Sequence, residues 1–252
     1  MKQNSRKIKN FSAVNKEFHT LFPIQKLFLQ KEELCSFWRA KGFEEKTIAA
    51  FCEIPRELFV AAELTGHAYD DIPLPTTRGQ SISQPTTIML MLQALDVQEG
   101  QSILEIGAGV GFQACILAKL VGSKGRITTI EIIPELVQAA KRNAARLGFP
   151  NIMVVEGDGS LGIVDKDHFE DHFNKGMFDR VIITAACPQI PPLVIEQTKE
   201  QGIIVAPVGD LHGQVMVKAI KVNDRLDFEF LGTFLFVPMQ GKYGLEKDLD
   251  AK

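Results

Sequence analysis

The sequence predicts an α/β protein with a doubly wound, mostly parallel seven-stranded sheet and an N-terminal helical extension. Apolar runs of strand length alternate with helical stretches from Ile103 onward, which is the pattern of βαβ units. A glycine-rich turn joins the first of these strands directly to the first helix. Two later β-rich runs, at residues 215–222 and 228–237, are separated by a short polar turn. They predict an antiparallel hairpin that closes one edge of the sheet.

The N-terminal part of the chain is predicted to be helical. Residues 1–25 show little periodicity, and their basic residues are not followed by an apolar segment, so we expect a flexible arm rather than a secretion signal. Amphipathic spacing predicts helices over residues 26–41 and 44–53. Their buried faces should carry Leu27, Leu34, Phe37 and Trp38 in the first helix, and Ile48, Phe51 and Cys52 in the second.

Residues 26–252 are expected to form one domain. Its parts are a helical segment at 26–101, an α/β core at 102–240 and a C-terminal tail at 241–252. A polar insertion at 165–176 precedes the fourth strand of the core. The predicted strands before the hairpin cover residues 102–106, 126–130, 152–155, 180–184 and 203–208, and the predicted helices cover 86–95, 112–120 and 134–147.

Composition narrows the class of protein. The chain has 252 residues, of which 45% are hydrophobic and 23% are charged, so it can bury a sizeable core. Its net charge of −3 argues against broad nucleic-acid binding, and no apolar run approaches a membrane span. The four cysteines are scattered without a C-x-x-C pair, which predicts neither a disulfide nor a zinc site and favours a reducing cytoplasm.

The spacing of the glycines narrows the ligand. Gly107, Gly109 and Gly111 alternate, whereas a dinucleotide fingerprint would need glycine at the position of Phe112. With Glu105 ahead of it, this G-x-G-x-G turn looks like the loop of class I S-adenosylmethionine (SAM) methyltransferases. Glycine-rich turns also occur for purely structural reasons, so the loop alone leaves both interpretations open.

Two further acidic residues follow the next two strands. Glu131 ends the second strand about 20 residues past the loop, where a carboxylate can accept hydrogen bonds from ribose hydroxyls. It would equally well cap the following helix. Asp158 follows the third strand, and in SAM-dependent methyltransferases an acid there faces the amine of adenine. Its alternative interpretation is a plain Asp-Gly turn.

Several motifs follow one another along the chain. They are I-P-R-E-L-F-V at 54–60, G-Q-S-I-S-Q-P at 79–85, L-E-I-G-A-G-V-G-F-Q at 104–113, I-P-E-L at 133–136, E-G-D-G-S-L-G at 156–162, T-A-A-C-P-Q-I-P at 184–191 and F-V-P at 236–238. With these motifs in this order, the chain resembles the protein-L-isoaspartate (D-aspartate) O-methyltransferase family over about residues 44–240. Departures from the family pattern include Phe112 in place of a common tyrosine, Cys187, and a bulkier loop at 76–78.

The resemblance implies a class I, Rossmann-like methyltransferase that transfers a methyl group from SAM to the α-carboxylate of L-isoaspartyl residues in damaged proteins, which initiates repair. It implies that Ser83 is the active-site serine that holds the acceptor carboxylate. On the residues alone, Ser83 would instead cap the helix at 86–95. The residues expected to contact SAM are Gln80, Ser81, Ile82, Glu105, Gly107, Ala108, Gly109, Gly111, Glu131, Ile132, Asp158 and Gly159.

Other functions remain open at this stage. One is a SAM-dependent methyltransferase with a different acceptor, which the changed loop at 76–78 motivates. Another is a SAM-binding adaptor without catalytic activity. We expect no metal, because His168 and His172 lie in a charged insertion, and no nucleophilic role for Cys115 or Cys187, because no partner base is evident. The favoured partners are proteins and peptides with isoaspartyl residues, with no nucleic acid or membrane, and a monomer is favoured.

Overall fold

The computed structural model describes residues 25–163 and 175–245. It confirms the predicted α/β architecture, with a seven-stranded sheet. The strands of this sheet are β3 Ser102–Ile106, β4 Arg126–Glu131, β5 Ile152–Glu156, β6 Phe178–Ile183, β7 Thr198–Gly209, β8 Gln214–Val222 and β9 Arg225–Phe234. Their order is β5-β4-β3-β6-β7-β8-β9. The five strands from β5 to β7 are parallel, and β8 and β9 add the predicted antiparallel hairpin at one edge.

The predicted helices form with small changes at their ends. They are α1 at residues 25–40, α2 Glu45–Glu53, α3 Pro85–Leu95, α4 Phe112–Val121 and α5 Pro134–Arg146. The structure adds a sixth helix, α6 Pro192–Gln197, and a two-stranded pair, β1 Leu74–Pro75 with β2 Ser81–Ile82. These additional elements are too short to show a period of 3.6 or 2 residues in the sequence, so periodicity does not reveal them.

Alternating side chains of the sheet enter two separate cores. Ile103 and Ile182 pack with α2, α3 and α4 on one face, while Leu104 and Val181 pack with Val194 of α6 on the other. This alternation follows from the two-residue period of a strand, and apolar residues on both faces are what a covered parallel sheet requires.

The N-terminal helices pack onto the first of these faces. Leu34 and Trp38 of α1 are buried as predicted, and the Trp38 ring makes an edge contact with Phe51 of α2 at a centroid distance of 4.7 Å. Trp38 Nε1 also donates to Thr86 Oγ1 at 2.9 Å, which ties α1 to the start of α3. The predicted burial of Phe37 is wrong, because its side chain is 44% exposed.

The expectation that no disulfide forms is wrong for one pair of cysteines. Cys35 of α1 and Cys52 of α2 are disulfide-bonded across 17 residues of sequence. A turn at Lys41 and Gly42 lets the two helices run side by side, so residues far apart in sequence become neighbours. The spacing of cysteines along the chain carries no information about this proximity. The other two cysteines are free and buried.

Some predictions fall outside the described residues. These are the arm except residue 25, most of the insertion at 165–176 with both of its histidines, and the end of the tail. Within residues 25–163 and 175–245 there is no group of three or more histidine, cysteine, aspartate or glutamate side chains that would hold a metal ion. In the same part of the chain, no helix has the length and apolar character needed to cross a membrane.

Candidate active site

A cavity opens at the carboxyl ends of the parallel strands, where ligands bind in open α/β sheets. One wall is the segment Gln80–Ser83 around β2, and another is the glycine-rich loop after β3. The residues after β4, the pair Thr184 and Ala185 after β6, and the C-terminal segment Val237–Gln240 complete it. The cavity therefore brings together segments that are up to 160 positions apart in the sequence.

The glycine-rich loop leaves space for a ligand. Gly109 has φ +53°, and a side chain added there would meet nothing within 4 Å, so its backbone is open for close approach. Gly111 has φ +85° and plays a different part, since an added Cβ would lie 3.0 Å from the Cα of Ala140 in α5. It permits α4 to pack closely on α5 and does not line the cavity.

The carboxylate of Glu131 organises the cofactor side of the cavity. Its Oε2 accepts from Gly109 N at 2.8 Å, and its Oε1 accepts from Ile132 N at 2.9 Å and Ile133 N at 3.0 Å. A carboxylate offers about four acceptor sites, so one site on Oε2 remains for a ribose hydroxyl. The side chain thus fixes the glycine loop and the residues preceding α5, and it still faces the cavity.

Glu105 is a fully buried acid beside Glu131. Its Oε2 accepts from Thr129 Oγ1 at 2.6 Å, whereas its Oε1 is buried without a hydrogen-bond partner in the described chain. Burial raises the pKa of Glu105 to about 8; the Thr129 hydroxyl opposes this shift and the nearby charge of Glu131 adds to it. An orphaned acceptor that lines a cavity is poised for a donor from a ligand.

This raised pKa predicts a pH dependence of stability. Between the ordinary value of 4.5 and about 8, the folded state holds a proton that the unfolded chain has released. The free energy of unfolding therefore falls as pH rises through this range, by on the order of 3–5 kcal/mol from this one carboxyl group. We expect Glu105→Gln to remove that contribution, which denaturant titrations of both proteins without cofactor at pH 5 and pH 8.5 would reveal. Parallel pH profiles for the two proteins would contradict the assignment.

Asp158 lies at the cavity edge but does not line it. Its Oδ1 accepts from Ser160 N and Ser160 Oγ, and its Oδ2 accepts from Lys242 N at 2.7 Å. The carboxylate therefore caps the short turn Gly159–Leu161 and holds the C-terminal segment. Gly159, the next residue, does line the cavity.

Ser83 is placed by β2 and the start of α3. The residue that caps α3 is Gln84, whose side chain makes no capping bond, so Ser83 does not have the alternative role considered from the sequence. The Ser83 hydroxyl makes no hydrogen bond within the described chain and the residue lines the cavity. Its carbonyl oxygen accepts from Arg56 Nη2 at 2.8 Å.

The start of α3 is held from outside the helix. Asp71 Oδ1 accepts from Thr86 N at 2.8 Å, and Asp71 Oδ2 accepts from Thr86 Oγ1 at 2.7 Å. An external carboxylate thus satisfies a free amide of the first turn, which is the task of a capping side chain. Ser83 is left available for the cavity.

Hydrogen bonds hold the wall of the cavity that is formed by the residues after β6 and by the C-terminal segment. Thr184 Oγ1 lies 2.7 Å from the Gly107 carbonyl oxygen, to which it donates, so β6 supports the glycine loop. Ala186 N donates to Val237 O and Met239 N donates to Ala186 O, both at 2.8 Å. The C-terminal segment is thereby held beside the end of β6, and its residues Val237–Gln240 line the cavity.

Cavity residues that the sequence analysis does not single out include Gln113, Ile88 and Leu136. Gln113 is the most informative, because it is 7% exposed and its Nε2 is buried without a partner in the described chain. Gln113 ends the motif at 104–113, but nothing in that motif indicates that its amide nitrogen is buried without a partner. Ile88 and Leu136 have no distinguishing signal, since apolar residues at helical spacing are ordinarily core.

Neither free cysteine is suited to act as a nucleophile. Burial raises the pKa of both Cys115 and Cys187 to about 12, so both are neutral thiols near pH 7. Cys187 Sγ makes a 3.6 Å contact with the carbonyl oxygen of Pro207, in keeping with a small packed side chain. The proposed chemistry therefore must not depend on a thiolate.

Fold and loop together define a class I SAM-dependent methyltransferase: a doubly wound sheet whose first strand leads into G-x-G-x-G, with an acid after the second strand. The comparisons with known proteins identify a narrower group within this class. The family model described as Protein-L-isoaspartate(D-aspartate) O-methyltransferase (PCMT) matches residues 29–244, and the chain belongs to that family. The match begins within α1, earlier than the motifs alone indicated.

Individual relatives agree with the family assignment. The chain is 36% identical over 206 residues to the protein-L-isoaspartate O-methyltransferase of Methanococcoides burtonii, covering 82% of this chain and 97% of that protein. Identity to the enzyme of the same name from Fervidobacterium nodosum is 40% over 199 residues, covering 79% and 96%.

Solved structures share the fold. A protein-L-isoaspartate O-methyltransferase superposes with a TM-score of 0.74 and 27% identity, covering 84% of this chain and 66% of that chain. A Plasmodium falciparum protein of the same family name, solved in complex with S-adenosyl-L-homocysteine, superposes with a TM-score of 0.70. At 18% identity, over 82% of this chain and 97% of the other, it supports the fold alone.

Proposed function

We propose that this protein transfers the methyl group of SAM to the α-carboxylate of L-isoaspartyl residues in damaged proteins and peptides, which initiates their repair. The observation that carries the proposal is that one cavity contains both Ser83 of the G-Q-S-I-S-Q-P motif and the glycine loop with its acid Glu131. Membership of the family, with relatives of that name at 36–40% identity, supports it.

The cavity has the polar groups that SAM requires. Glu105 Oε1 and Gln113 Nε2 are a buried acceptor and a buried donor without partners in the described chain. They match the ammonium and carboxylate groups of the methionine part of SAM, and the free site on Glu131 matches a ribose hydroxyl. The remaining proposed SAM contacts in the cavity lining are Gln80, Ser81, Ile82, Gly107, Ala108, Gly109, Ile132 and Gly159.

Asp158 and Gly111 are proposed to contribute to SAM binding indirectly. Gly111 is proposed to set the position of the loop through its contact with α5. For Asp158 to accept a hydrogen bond from the adenine amine, it must use a lone pair not already occupied by Ser160 or by the Lys242 amide. We therefore assign Asp158 first to holding the C-terminal segment over the cavity edge.

The proposed chemistry makes few demands on acid–base groups. SAM supplies an electrophilic methyl group on a sulfonium centre. The acceptor carboxylate is already an anion near neutral pH, so no general base is required. The ionisable residues that line the cavity are Glu105 and Glu131 alone among the described residues, which agrees with this requirement.

Ser83 is proposed to orient the acceptor. Its hydroxyl donates to one carboxylate oxygen, which directs the other oxygen towards the methyl group. The apolar walls formed by Ile82, Ile88 and Val237 exclude water from the reacting atoms. Correct orientation of two reactants can contribute roughly 7–11 kcal/mol to lowering a barrier, so positioning is a sufficient catalytic device here.

The experiment that tests the function is methyl transfer from labelled SAM to a peptide with one L-isoaspartyl residue. The matched L-aspartyl peptide is the control. We expect base-labile label on the isoaspartyl peptide only, because a carboxyl methyl ester is base-labile and the cavity must distinguish the two backbones. Label on both peptides, or on neither while SAM still binds, would contradict the proposed acceptor.

One observation favours a second candidate class of acceptor. Arg78, in the loop that departs from the family pattern, has φ +57° and pairs with Glu135 at the start of α5. This exposed pair connects the segment before Gln80 with the residues after Glu131, beside the cavity. We expect an acceptor other than an isoaspartyl peptide to be recognised at this altered loop. In that case the protein would transfer a methyl group to neither of the two test peptides. The proposed partners remain isoaspartyl proteins, with no nucleic acid.

A further inference from the structure

The cavity lacks a basic side chain of its own. None of its lining residues is lysine, arginine or histidine within the described chain. The proposed acceptor is nevertheless a carboxylate, and Ser83 is the hydroxyl expected to hold it. Only the χ1 torsion, with its three staggered wells, separates the hydroxyl oxygen of a serine from the backbone, so the place of that oxygen follows closely from the place of the backbone.

Arg56 lies directly behind Ser83. It belongs to the short turn Arg56–Leu58 and is fully buried, with 0% exposure. Its Nη2 donates to the Ser83 carbonyl at 2.8 Å, and its Nε donates to the Ala68 carbonyl at 2.7 Å. The guanidinium carbon also lies 5.1 Å from the ring centroid of Phe112, which lines the cavity and opens α4.

The charge of Arg56 is not balanced by a salt bridge. Arg56 has no carboxylate partner within 4 Å in the described chain, and its Nη1 is buried without any hydrogen bond. A buried unpaired cation costs several kcal/mol, and an apolar side chain of similar volume is often more stable there. Burial lowers the pKa of Arg56 to about 9, so the group still carries its charge near pH 7.

The planar fork of the guanidinium explains why arginine is used. It reaches two carbonyl oxygens from separate loops and stacks on an aromatic ring at the same time, which a lysine ammonium cannot do. These contacts connect the acceptor segment at Ser83 with the first residue of the cofactor-side helix at Phe112. Arg56 therefore contacts both the segment that carries Ser83 and the helix that follows the glycine loop.

We propose that Arg56 is a positioning residue for methyl transfer: it holds the Ser83 backbone against Phe112, so that the Ser83 hydroxyl stays directed at the acceptor carboxylate. This role rests on the proposed function. It gives Arg56 no contact with SAM or with the acceptor. Its loss is expected to affect use of the peptide and to leave SAM binding unchanged.

The test is a double-mutant cycle with Arg56→Lys and Ser83→Ala, measured on the isoaspartyl peptide. Arg56→Lys removes the hydrogen bond from the guanidinium to the Ser83 carbonyl. This loss is expected to lower kcat/KM for the peptide about tenfold, which corresponds to one hydrogen bond from a charged donor. Lysine keeps the charge and is not expected to restore activity. In the Ser83→Ala background the same change should cost less than about threefold, since a positioning residue has nothing left to position. SAM affinity, measured by calorimetry, should stay within about twofold of the wild type.

Arg180→Lys is the matched control. Arg180 is 12% exposed, and its Nε donates to the Leu95 carbonyl at 2.7 Å, at the opposite, amino end of the sheet. A loss of stability without a change in peptide kinetics is expected there. Equal losses from Arg56→Lys in both Ser83 backgrounds, a parallel loss of SAM affinity, or failure of Arg56→Lys to fold would each overturn the proposal in favour of a structural role. If the wild type itself transfers no methyl group to the peptide, the proposed function is what fails.

Discussion

Replacing Ser83 by alanine is expected to lower kcat/KM for an isoaspartyl peptide by about 10- to 100-fold, the equivalent of one hydrogen bond to a charged group. SAM affinity should change by less than about threefold, because the proposed cofactor contacts lie on other residues. The Ser83 hydroxyl has no bond within the described chain to lose, and Asp71 rather than Ser83 supplies the capping hydrogen bond at the start of α3, so the folded state should be unaffected.

Steady-state kinetics with varied peptide, calorimetric SAM binding and thermal unfolding would separate these effects. Ser102→Ala is a suitable control. Ser102 starts β3 at the amino end of the sheet, and its backbone N–H, which the change retains, is what donates to Asp179. If Ser83→Ala reduced SAM binding or the unfolding temperature as strongly as peptide turnover, Ser83 would be a structural residue and the assigned role would be wrong.

Glu131→Gln is expected to weaken SAM binding by about 100-fold or more, since a charge-assisted bond to the cofactor is lost and the loop that cradles it is released. The carboxylate accepts from three backbone amides, and an amide side chain must turn one N–H group towards at least one of them. We therefore also expect a lower free energy of unfolding without SAM, by about 1–3 kcal/mol.

Glu156→Gln is the control variant for Glu131→Gln. Glu156 ends β5 in register with Glu131 at the same edge of the sheet, but it is exposed and does not line the cavity. Calorimetric titration with SAM and denaturant unfolding of both variants would decide the matter. Wild-type SAM affinity in Glu131→Gln would show that the carboxylate serves only to hold the glycine loop and the residues before α5.

The ends of predicted elements differ from the structure for physical reasons. β7 begins at Thr198 rather than at residue 203, because pairing with Phe178 extends it through polar residues that carry no apolar pattern. Phe37 has the helical spacing of a core residue yet points outwards, since spacing locates a face but not what covers it. The Cys35–Cys52 bond depends likewise on how two helices pack.

The residues of the candidate site likewise include some that the sequence predicts and some that only the structure reveals. Glycine, acid and serine motifs identify residues by type and position along the chain, so Ser83, Gly109 and Glu131 were predictable. Arg56 and Gln113 were not singled out, although both lie in recognised motifs. What distinguishes them is a buried nitrogen without a partner, and only the packed structure contains that property.

The sequence by itself determined the order of the seven sheet strands and of helices α1 to α5, the cofactor loop and the family, because periodicity and motif chemistry are local along the chain. Only the tertiary structure decided that Glu105 is buried with a raised pKa, that Asp158 holds the C-terminal segment, and that Arg56 stands behind Ser83. These properties depend on which distant segments exclude water from a group and which polar atoms they bring to it, and the linear order of residues does not record either one.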